Sequence, residues 1–119
     1  MKSDDAASVS YLRSVPAGAR LLHSSVYTMR WSDMDAFGHV NNACYFTYFE
    51  QVRVDWLTSI GASHDLVLAN VSCTFLKPLH FPATLEVRLY AGRPRRSSLD
   101  SYYEILDQNN ANRLCTVGH

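Results

Sequence analysis

Two carboxylates, Asp33 and Asp35, an imidazole, His39, and two amides, Asn41 and Asn42, crowd the stretch Arg30-Trp-Ser-Asp-Met-Asp-Ala-Phe-Gly-His-Val-Asn-Asn. From Asn42 to about Ser59 the residues carry helical spacing. Asp35 therefore sits a few residues before a helix start, where backbone N–H groups lack intrahelical acceptors and the macrodipole is positive. A base beside an anion-stabilising helix end is the equipment for hydrolysing an activated acyl group.

Each of these residues also has a plainer reading. Asp35 could cap the loop by accepting backbone N–H groups. Asn41 is a good helix N-cap, or else orients water or substrate. His39 could position water or tune Asp35, or make a structural hydrogen bond. Gly38 suits a positive φ or a close approach of substrate. Asp33, Asp35 and His39 lie in one loop with no further ligand evident, so no metal is expected. Cys44 could be a nucleophile, but core packing is the better expectation because no base is placed for it. Glu50 and Arg53, three apart on the helix, are expected to pair.

The surrounding elements must hold this loop. Ser25 to Trp31 reads as a strand, with Tyr27, Met29 and Trp31 on one face. Along the helix, Tyr45, Phe49, Val52 and Trp56 form one apolar stripe, and Phe46, Tyr48, Val54 and Leu57 add apolar surface elsewhere. Such a helix should be buried, with Gly61 at its C-cap. The rest reads as β: Val71 to Leu76, then Leu85 to Leu89, a basic turn over Gly92 to Ser97, Leu99 to Leu106, an Asn-rich turn, and a strand opening at Arg113. The order of strand, long helix and antiparallel meander predicts an α+β fold with the helix on one sheet face.

At 119 residues the chain is one domain at most. Its 11 basic and 11 acidic residues balance, which argues against a generic nucleic-acid binder. No run of eighteen apolar residues is present, so no membrane span is expected. Cys44, Cys73 and Cys115 follow neither a zinc nor a disulfide pattern, and reduced thiols in a cytoplasmic protein are expected. Residues 1–25 read as a loose arm before a domain over 26–119.

Asp33-Met-Asp35-Ala-Phe-Gly38-His39-Val40-Asn41-Asn42, followed by Tyr45, Tyr48, Glu50 and Arg53, closely resembles the hotdog-fold acyl-CoA thioesterases of the 4-hydroxybenzoyl-CoA thioesterase family. The resemblance runs from about Val26 to the C-terminus. It implies an antiparallel sheet wrapped around a long central helix, pairing of two copies into a homodimer or homotetramer, and active sites at the interface. It implies Asp35 as the catalytic carboxylate, acting as base or nucleophile, and the Asn42 backbone N–H as the donor that polarises the thioester carbonyl. His39 and Asn41 are expected to assist. Gly38, Val40 and Tyr45 are expected beside the substrate. Arg95, Arg96 and Ser98 either form a merely solvated basic turn or, in a coenzyme A enzyme, bind the nucleotide phosphates of coenzyme A, which enters as part of an acyl-CoA substrate with no separate cofactor. The family's domain usually continues through the last strand, whereas this chain ends as that strand gets under way. A hotdog module that binds acyl-CoA or a protein partner without turnover is the alternative. A hydratase is a third, but its Asp/His arrangement on the helix is missing.

Overall fold

A computed structural model describes residues 14–36, 38, 41–62, 72–77, 79–94, 99–110 and 113–118. Five strands, β1 (Arg20–Thr28), β2 (Cys73–Phe75), β3 (Thr84–Pro94), β4 (Leu99–Asp107) and β5 (Arg113–Gly118), form one sheet in the order β1-β3-β4-β5-β2. Every neighbouring pair is antiparallel. One long helix, α1 (Asn42–Ser59), lies against the inner face, which is the hotdog arrangement.

Period-two alternation builds that face. Leu85, Val87 and Leu89 of β3 and Tyr103 and Ile105 of β4 are buried, while Glu86, Arg88, Tyr102 and Glu104 alternate onto the outer side, less deeply covered. Leu89 faces Tyr103 and Val87 faces Ile105 across the ladder. From the helix come Tyr45, Tyr48, Phe49 and Val52. The Phe49 ring stacks on Tyr103 with centroids 4.5 Å apart. The Tyr27 hydroxyl donates to Asp55, tying β1 to the later half of α1.

The helix runs where its spacing places it, because both ends are specified. The Asn41 carboxamide accepts from the Ala43 N–H at 3.1 Å. At the far end Gly61 takes φ +67°. Its N–H bonds to the Thr58 carbonyl and that of Ala62 to the Leu57 carbonyl, a Schellman closure. The stripe Tyr45, Phe49, Val52 faces the sheet, with Trp56 packed against its margin. The opposite side is open: Ala43, Phe46, Thr47, Glu50 and Gln51 are exposed, so α1 is not buried all round within one chain.

Several expectations are corrected. β1 begins at Arg20, so residues 20–25 belong to the sheet and not to an arm. A bulge between Leu21 and His23 absorbs one residue and breaks the alternation that would have announced the strand. The strand stops at Thr28, and Trp31 opens a 3₁₀ turn (Trp31–Asp33) with 70% of its surface exposed. The turn forms because the Asp33 carboxylate takes the Arg30 N–H at 2.9 Å, ending the ladder. β3 continues through Gly92, Arg93 and Pro94, so the expected basic turn is partly strand. The strands are not a simple meander either: β2 joins β5, leaving β1 and β2 as the edges and β5 inside.

Candidate active site

Asp33 is the centre of the loop. It is 2% exposed. Its carboxylate accepts from the Arg30 guanidinium at 2.8 Å and from the Tyr48 hydroxyl at 2.7 Å, besides the Arg30 backbone N–H. Burial by itself would raise this carboxyl. The hydrogen bonds from Arg30 and Tyr48, and the guanidinium charge, outweigh that and hold it below the ordinary carboxylate range. The reciprocal effect falls on Tyr48: burial, then the bond to Asp33, pushes its phenol well above the usual value.

The backbone of Asp33 does a second job. Its carbonyl accepts the Asn41 N–H at 2.7 Å, so the two ends of the loop are clipped together. Inside the clip stands Asp35, half-buried, whose carbonyl accepts the Gly38 N–H at 3.1 Å. Gly38 adopts φ +76°, as its residue type suggests, and its carbonyl accepts from Phe81 at 2.9 Å. The loop is thereby fastened to the segment leading into β3.

The first-turn donors of α1 are then accounted for one by one. The Asn41 N–H goes to Asp33, that of Ala43 to the Asn41 carboxamide, and that of Cys44 to the Asn41 carbonyl at 2.8 Å. Among the described residues none accepts from the Asn42 N–H. No acidic residue occupies the first turn, and the negative charge of nearby Asp33 is paired with Arg30. The helix end therefore keeps its positive character at Asn42. A half-buried carboxylate in a clipped loop, followed at a helix start by an N–H that no described residue accepts, suits stabilisation of a developing oxyanion.

The other expected residues fall as follows. Tyr45 is buried in the core beneath the first turn of α1. His39, Val40, Arg95, Arg96 and Ser98 lie outside the described residues. Arg53 donates to the Tyr103 hydroxyl at 3.2 Å, and among the described residues it forms no ion pair with Glu50, which is exposed. The Cys44 Sγ sits 3.9 Å from Asp33. Burial first, then that carboxylate, raises its thiol, which disfavours a nucleophilic thiolate. Sequence reasoning missed the role of Asp33. The signal available was its spacing of three from Arg30, the geometry of a side chain closing back on a turn.

The chain matches the family described as "Thioesterase superfamily" over residues 37–113. Among solved structures, the PA2801 protein of Pseudomonas aeruginosa, titled "a putative Thioesterase", is 38% identical with a TM-score of 0.78, covering 84% of this chain and 81% of that one. "A putative acyl-CoA thioesterase" of Xanthomonas campestris is 30% identical with a TM-score of 0.70, covering 83% and 92%. The uncharacterized protein YsmA of Bacillus subtilis is 28% identical over 96 residues, 76% of this chain. The chain spans 64% of the length of that curated relative. A match across this much of the chain, on a fold with this loop and helix start, means that the chain belongs to the thioesterase superfamily.

Proposed function

We propose that the protein hydrolyses an acyl-CoA thioester to a free carboxylic acid and coenzyme A. The observation that carries the reading is the Asn42 N–H at the start of α1, which no described residue accepts, following a loop that holds Asp35. The thioester carbonyl oxygen accepts from Asn42 and is polarised. Asp35 either takes a proton from a water whose oxygen attacks the carbonyl carbon, or attacks it directly to form an acyl anhydride that water then opens. In both routes the C–S bond breaks and coenzyme A leaves as a thiolate that regains a proton. Membership of the superfamily supports the reaction class, and the Xanthomonas campestris relative's title supports the coenzyme A ester.

Gly38, Val40 and Tyr45 line the acyl end in this reading, with His39 and Asn41 assisting Asp35. Arg95, Arg96 and Ser98 hold the nucleotide phosphates. A second copy covers the open side of α1, where Phe46 is 37% exposed. The setting is cytoplasmic, in keeping with the free thiols Cys44 and Cys73. Among the described residues no helix is long and apolar enough to cross a membrane.

The test is release of free thiol from a panel of aliphatic and aromatic acyl-CoAs of differing length, with sedimentation analysis of the same sample. Turnover on at least one ester by a dimer or tetramer is expected. A folded oligomer that releases no thiol from any of them contradicts the reading and favours a binding module.

A further inference from the structure

Asp33 grips α1 at two places. Its carbonyl takes the Asn41 N–H at the N-cap, and its carboxylate takes the Tyr48 hydroxyl. Asn41 and Tyr48 are seven residues apart, two turns along one side of the helix. A single hinge point would leave the helix free to pivot about the loop. Two points on one side fix both its axial position and its rotation. The Arg30 guanidinium and backbone N–H lock the same carboxylate to the end of β1. The Tyr48 ring is itself held, stacked on Tyr27 with centroids 6.2 Å apart.

We propose that Asp33 is the positioning residue of the site, setting the Asp35-bearing loop and the Asn42 N–H in register with each other. The inference rests on the hydrolase reading and adds a residue to it. Asp33 touches no reacting atom. It acts because Asp35 follows it by two residues and Asn42 follows the backbone that Asp33 clips. Displacing a donor or base by about 1 Å costs on the order of 100-fold in rate. The Arg30 partner has a separate effect, since it prevents the Asp33 charge from cancelling the positive helix end.

Tyr48→Phe removes one grip while retaining the ring, and Asp33→Asn removes the charge while retaining the shape. Both are assayed for kcat and KM on the best acyl-CoA, for Tm, and for amide exchange at Asn41. The expected result is a kcat lowered about 10-fold or more in Tyr48→Phe and further in Asp33→Asn, with KM within about threefold of wild type. Exchange at Asn41 rises about 10-fold in Tyr48→Phe. Should Asp33→Asn not fold, Tyr48→Phe decides. A folded Tyr48→Phe protein with wild-type kcat and wild-type exchange at Asn41 overturns the proposal, as does a KM that rises by as large a factor as kcat falls. Absence of thiol release by the wild-type protein refutes the hydrolase reading alone, and the Asn41 exchange still scores the clamp.

Discussion

Tyr48, six residues beyond the first residue of α1, donates its hydroxyl to the buried carboxylate of Asp33 at 2.7 Å. The first aspartate of the Asp-Met-Asp pair thus holds the helix, and the second, Asp35, stands half-buried two residues further on. Because Asp33 titrates below its ordinary value, it stabilises the fold while ionised. That stability is present above the unfolded carboxyl value of about 4 and is lost as pH falls through the folded one. Asp33→Asn should cost about 2 kcal/mol at neutral pH. The gap to wild type should narrow below about pH 4, as measured by urea denaturation at several pH values. A gap independent of pH would mean that the charge is not what matters.

Burial raises the Cys44 thiol and pushes that of Cys73 up to about 12. Thiolate is the reactive form, so both should be alkylated by iodoacetamide at pH 8.5 at least about 10-fold more slowly in the folded protein than in urea. Mass mapping of the modified peptides reads this directly. Equal rates in the two states would contradict the burial of both groups.

Asn41 caps α1 through its side chain. Asn41→Ala should lower stability by about 1 kcal/mol, read from a denaturation midpoint. The same substitution separates capping from catalysis, because a cap alone predicts little change in kcat at a temperature where the variant is folded.

Gly38 holds φ +76°, and a Cβ built there meets nothing within 4 Å. Gly38→Ala should therefore cost about 1 kcal/mol from backbone strain with no steric clash, visible as a lower Tm. An unchanged Tm would show that the loop relaxes away from the left-handed conformation.

How far these relationships could be read from residue order depends on their range. α1 was readable to the residue, because Asn41 and Gly61 are local signals at its two ends. The inner faces of β3 and β4 were readable from strict alternation through Leu85, Val87, Leu89, Tyr103 and Ile105. The start of β1 was hidden by a bulge, which shifts the period by one at Leu22. The pairing of β2 with β5 was hidden because three residues carry no sign of a partner some forty positions away. Helical spacing alone pairs Arg53 with Glu50, yet Arg53 reaches Tyr103, a contact made only when β4 folds across α1. The two aspartates looked alike as a pattern. What separates them is the Tyr48 hydroxyl arriving from the helix, which makes Asp33 the buried one.

The most direct test of the central claim compares thiol release from acyl-CoA esters by the wild-type protein and by Asp35→Asn. The account predicts a loss of about 100-fold or more in kcat with the fold and oligomeric state intact. Turnover by Asp35→Asn equal to that of the wild type would contradict it.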